Sequence, residues 1–155
     1  MKQDGPVPIL WAAFGAAVGS TVIELMLWPI AGEDPFHNLL RDARLTAALV
    51  MGRAVLGASP GFDPTIMGVA TLVHAALSLA YTAVLARMVR NLSPGAALVA
   101  GGAFGLVLYG INLHAFAAIF PWFVPVRGAI TLVAHVVFGV MAAGVYCIVR
   151  RSARA

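Results

Sequence analysis

Four long apolar runs dominate this chain, each able to cross roughly 30 Å of hydrocarbon as a single helix. They fall at 8–30, 65–89, 96–122 and 126–149. A chain of 155 residues that is 61% hydrophobic and only 10% charged, with a mean hydropathy of +0.93, has too little polar surface for a lone soluble domain of this size. Cys147 is the single cysteine, which excludes a disulfide scaffold, and the hydrophobicity excludes disorder. No ten-residue alternation marks a β-barrel. The expectation is one all-α integral membrane domain over 1–155. The first run reads as a retained helix rather than a signal peptide. It is too long, and Pro29-Ile30-Ala31 is a poor cleavage site.

The connections between the runs differ in length. Arg90-Asn91-Leu92-Ser93-Pro94-Gly95 is a tight turn, and 121–125 is an equally short link, so neighbouring spans should run antiparallel in an up-down four-helix bundle. The first connection is long. Asp34-Pro35 is an N-cap followed by proline at the first helical position. Phe36, Leu40, Ala43, Ala47, Met51 and Ala54 then recur at helical spacing, and Gly57 with Ser59-Pro60-Gly61 forms a stop. This predicts an amphipathic helix over 34–57, lying in the membrane interface or over the bundle mouth. Leu40 and Met51 should be buried against lipid or bundle, and Arg41 and Arg44 should meet water.

Orientation follows from the basic residues. With four spans, Lys2, Arg87, Arg90, Arg150, Arg151 and Arg154 share one side, while Arg41, Arg44, Arg53 and Arg127 share the other. The majority side belongs in the cytoplasm, together with both termini. Trp28 and Trp122 should then sit at the outer interface and Trp11 near the inner one. The pI near 10.0 reflects residues flanking the spans and no groove-reading motif, so nucleic acid is not an expected partner. The expected surroundings are a bacterial inner membrane, with a membrane-protein partner or a second copy of the chain.

Each span carries an ionisable group: Glu24, His74, His114 and His135. Counted from the outer helix ends, all four lie roughly 9–14 Å deep. Such groups are costly against lipid and usually face the bundle interior. Ser78 and Tyr81 share a helical face with His74, Asn112 shares one with Tyr109, and Thr131 lies one turn from His135. Tyr109 and His114 fall on nearly opposite sides of an ideal α-helix. Three chemistries could use this cluster. Glu24, His74, His114 and His135 are a ligand set for a transition metal. His74 and His135 could instead hold haem b axially. The groups could also relay protons or a cation, or simply hydrogen-bond between helices. No HExxH, CxxCH or Glu-x-x-His pattern occurs, and no nucleophile–base order is readable, which leans away from an enzyme. Gly15/Gly19 and Gly101/Gly105 are GxxxG pairs suited to close helix contact.

The layout resembles the small bacterial inner-membrane proteins of the YagU type. The likeness rests on a glycine-rich first span ending in Glu24 and Pro29, and on His74-x-x-x-Ser78. It rests further on the Pro121-Trp122 break and on His135-Val136-Val137 before Arg150-Arg151. It implies a multi-span inner-membrane protein and no particular activity. Two functions stay open: a non-enzymatic subunit or accessory protein, and a small proton- or cation-linked transporter or stress-response protein.

Overall fold

The computed structural model describes residues 6–57 and 61–153. Lys2 and Arg154 of the basic count, and Ser59 and Pro60 of the expected stop, lie outside the described residues. Five α-helices follow in order: α1 (Val7–Ile30), α2 (Pro35–Met51), α3 (Pro64–Val89), α4 (Pro94–Gly110) and α5 (Ala129–Ser152). A π-helical turn, Ile111–Ala115, and a 3-10 turn, Phe116–Ala118, prolong α4. Four helices are long and apolar enough to cross a membrane: α1, α3, α4 with its extension, and α5.

Three helices start on the same device. Asp34 precedes Pro35, and its Oδ1 accepts from the N–H groups of Phe36 at 2.8 Å and His37 at 2.9 Å. Asp63 precedes Pro64 and accepts from Thr65 and Ile66. Ser93 precedes Pro94 and accepts from Ala96. Each side chain satisfies N–H groups left free by the first turn, and proline fills a position that needs no donor. Two ends close on glycines with positive φ. Gly32 (φ 78°) lets the Glu33 N–H reach Trp28 O at 2.8 Å, the wrapped ending that favours glycine. Gly52 (φ 80°) ends α2, so the regular helix is shorter than the expected 34–57, and Arg53–Leu56 forms a separate 3-10 turn.

The third span also departs from expectation. Its helix stops at Ala118 rather than at Trp122, and Pro121–Val126 forms a 3-10 turn before α5 begins at Ala129. Pro121 and Pro125 lack the N–H groups that a continuing helix would need.

α5 is the central element. Its Ala142, Ala143 and Tyr146 pack with Ala12 and Ala16 of α1 and Ala97 of α4. Small residues let the backbones come close, and the α4–α5 seam depends on it. A Cβ added to Gly101 would collide with the Gly139 carbonyl, one on Gly105 with the His135 carbonyl, and one on Gly139 with the Gly101 carbonyl. The Gly101/Gly105 pair therefore sets the position of His135. The Gly15/Gly19 pair meets only side chains, those of Val145 and Met141. On the opposite side α2 packs on α3 through Ala43, Ala47, Ile66 and Ala70.

Large apolar side chains point outward along the spans, among them Phe14, Leu72, Val99 and Ile148. A bilayer replaces the buried interior these residues would need in water. Trp11 is exposed, whereas Trp28 is buried in the fold, not presented at an interface. Arg44 also departs from expectation. It is buried, and its guanidinium donates to Val55 O at 3.3 Å and Gly61 O at 2.7 Å. The α2–α3 connection needs donors for its carbonyls, and a long side chain one turn from Leu40 can supply them. Leu40 is buried, and Met51 stands 39% exposed.

Candidate functional site

α3 and α4 are joined by a tight turn yet stand apart along most of their length, and a cavity of about 500 Å³ opens between them. The wall is mainly apolar, with Val73, Leu108, Phe116 and Phe138 prominent. The polar groups enter from four helices and the π turn: Ser20 and Glu24 of α1, Asp42 and Thr46 of α2, His74, Ser78 and Tyr81 of α3, Asn112 of the π turn, and Thr131 and His135 of α5. A mostly apolar concavity with a few converging polar groups has the character of a small-molecule site.

One hydrogen-bond chain organises the inner wall. Tyr81 Oη donates to Asn112 Oδ1 at 2.8 Å. Asn112 Nδ2 lies 3.4 Å from His135 Nε2. His135 Nδ1 lies 2.8 Å from the Thr131 carbonyl oxygen. A carbonyl only accepts, so His135 carries its proton on Nδ1. Its Nε2 then holds a lone pair and takes the Asn112 N–H. The Thr131 hydroxyl donates onward to Val126 O at 2.8 Å. The chain joins three helices, fixes one histidine tautomer and ends on backbone carbonyls.

The π turn brings Asn112 to this wall. It carries one residue more per turn than an α-helix, shown by the Phe116 N–H bonding to Ile111 O. The same widening overturns the expected separation of Tyr109 and His114. Their rings meet edge-on with centroids 5.6 Å apart, because five residues across the widened turn return to one face. The other edge-on partner of Tyr109 is His135, at 5.7 Å. The Tyr109 ring thus stands between the two histidines. His114 is exposed on the far side and does not line the cavity. Arg127 Nε donates to Leu113 O at 2.5 Å, holding a carbonyl of the π turn.

Four polar groups of the cavity wall, Glu24, Thr46, His74 and Ser78, have no hydrogen bond to another described residue. Ser78 is only 4% exposed as a residue, and its hydroxyl opens on the cavity without a hydrogen bond to another described residue. The His74 imidazole also lines the cavity without a hydrogen bond. Neutral polar groups left without partners in an apolar setting favour a ligand that supplies them.

The carboxyls gather at the α2 end of the cavity. Glu24 faces it from α1 and Asp42 from α2. Burial pushes the Asp42 carboxyl above the usual carboxylate range, and Arg41, whose Nε is 2.7 Å from Asp42 Oδ1, pulls it back. Sequence reasoning did not single out Asp42. The signal that finds it is the stripe Asp42, Leu45, Thr46, Leu49, all on one face of α2 and all lining the cavity. Trp122 Nε1 donates to Leu45 O at 3.2 Å, and Arg53 lies 5.8 Å from the Trp122 ring centroid. α2 therefore covers one end of the cavity and is tied to the α4–α5 connection.

The four-ligand metal set is not assembled. Among the described residues no three His, Cys, Asp or Glu side chains could hold one ion, and His114 lies outside the cavity that Glu24, His74 and His135 line. Axial haem ligation would need a free Nε2 on His135, which here faces Asn112. Neither reading gains support. No family model, curated protein or solved structure matches the chain.

Proposed function

We propose that the chain is a non-enzymatic, multi-span inner-membrane protein, a subunit or accessory protein of a membrane complex, whose cavity binds a small molecule. The observation that carries this reading is the mostly apolar cavity of about 500 Å³ with Ser78 and His74 in its wall. Neither side chain makes a hydrogen bond to another described residue, so both are open to a ligand. The basic-residue majority supports cytoplasmic termini, which puts the cavity in the outer half of the bundle. The YagU-type likeness agrees with this setting. Native mass spectrometry of protein purified in mild detergent tests it. Wild type should carry a non-covalent adduct of constant mass, and Ser78→Phe, which fills the cavity, should lose it. A wild-type protein free of adduct and unchanged in stability by added membrane extract overturns the reading.

A second reading, a proton-linked transporter, would rest on the Tyr81–Asn112–His135 chain. A relay must pass its proton on, and this one stops at the Thr131 carbonyl, which has no proton to exchange. Proton flux into liposomes that disappears in His135→Ala would establish the transporter in its place.

A further inference from the structure

We infer that the cavity takes a neutral amphiphile from the bilayer, a molecule with a hydroxyl- or carbonyl-bearing head and an apolar tail, entering sideways between α3 and the 3-10 turn that prolongs α4. The inference rests on the binding role proposed above and names the ligand class of that site. The entrance is defined by residues that line the cavity and are also exposed: His74 and Leu77 on α3, and Phe116 on the 3-10 turn that prolongs α4. His74 lies ten residues along α3 from Pro64, about 15 Å at helical rise. In a spanning helix that depth is hydrocarbon, so the opening faces acyl chains and not water. Access from the α2 end is restricted, since α2 lines the cavity there and Trp122 bonds its Leu45 carbonyl.

Of the four lining groups without partners, Ser78 and His74 lie one turn apart on α3 beside the entrance and define the head. Ser78 offers a hydroxyl that both donates and accepts, and the His74 imidazole offers one donor and one acceptor when neutral. A hydroxyl or carbonyl satisfies both. An anionic head would meet the Glu24 and Asp42 carboxyls, and a charge brought in without a partner is costly in so apolar a wall. The tail is accommodated by Leu108 and Phe138. A volume of about 500 Å³ suits a molecule of drug size with a short or partly inserted chain.

The experiment uses the full chain in nanodiscs and a monoacylglycerol carrying a diazirine in its acyl chain. After irradiation, peptide mass spectrometry should find label on Leu77 and Phe116. Excess unlabelled monoacylglycerol should reduce that label about tenfold, and a fatty acid or phosphatidylglycerol at the same concentration should reduce it far less. Ser78→Phe from inside and Leu77→Trp at the rim should each abolish cavity labelling while label on Val99 and Ile148, which face outward, persists. Label confined to outward residues, or competition by fatty acid equal to that by monoacylglycerol, overturns the inference. If that happens while the co-purifying adduct of wild type remains, the ligand class falls and the binding role stands. If the adduct is absent too, both fall.

Discussion

Tyr81 and Asn112 meet through a 2.8 Å hydrogen bond although they lie 31 residues apart on α3 and on the π turn beyond α4. Those two helices pack little against each other, so this bond spans the back of the cavity. It also orients the Asn112 amide, so that Nδ2 faces the lone pair that the Thr131 carbonyl leaves on His135 Nε2.

Tyr81→Phe should therefore lower stability by about 1 kcal/mol, the usual scale of an interhelical bond in a membrane protein. Tyr109→Phe should leave stability nearly unchanged, because Tyr109 contributes ring contacts to His114 and His135. Thermal unfolding in detergent distinguishes them. Equal losses would show that the 2.8 Å bond contributes nothing.

The α4–α5 seam gives a sharper contrast between neighbours. Gly101→Ala should destabilise by about 3 kcal/mol, since its methyl group meets backbone that cannot move aside. Gly102→Ala should be tolerated, because its nearest neighbour is a Val140 methyl group at 3.6 Å. Gly105→Ala should behave like Gly101→Ala and also disturb His135. Unfolding temperatures of the three variants check this order.

Asp42 makes a pH-dependent contribution. Burial raises its folded pKa above the ordinary value of 3.8 despite Arg41. The sign for a raised acid is that the neutral form is favoured by folding. The stability it carries is present below 3.8 and is lost as pH rises through the folded value. Asp42→Asn should remove that decline, so its unfolding temperature should gain on wild type as pH increases over this window. A constant difference between the two proteins would refute the assignment.

Trp122→Phe removes the donor to Leu45 O. Amide exchange over 35–51 should accelerate, while exchange in α5 stays slow, because α2 loses a tie and the bundle core loses none. Unchanged exchange in α2 would mean that its packing on α3 alone holds it.

A reporter fused after Ala155 should be active only as a cytoplasmic reporter, following the basic-residue majority. Periplasmic activity would reverse the orientation and place the cavity in the inner half.

Composition and apolar length determined the four spans, because crossing hydrocarbon requires about twenty apolar residues whatever the fold around them. The Asp34-Pro35 start was equally legible, since a cap bonds N–H groups only two and three residues away. What tertiary structure decided are the relations that local periodicity does not encode. Tyr109 and His114 share a face because α4 widens into a π turn, which no 100° step anticipates. Asp42 lines a cavity and Arg44 is buried because of how α2 packs, with Asp42 sharing the cavity wall with Glu24 of α1 and Arg44 bonding the Val55 and Gly61 carbonyls. The ionisable residue in each span is visible in the sequence and was expected to face inward, but His114 is exposed and lies outside the cavity, because membership of one site depends on rotation about each helix. That rotation is set by contacts such as Gly105 against the His135 carbonyl, between residues thirty apart, and only the folded chain brings them together.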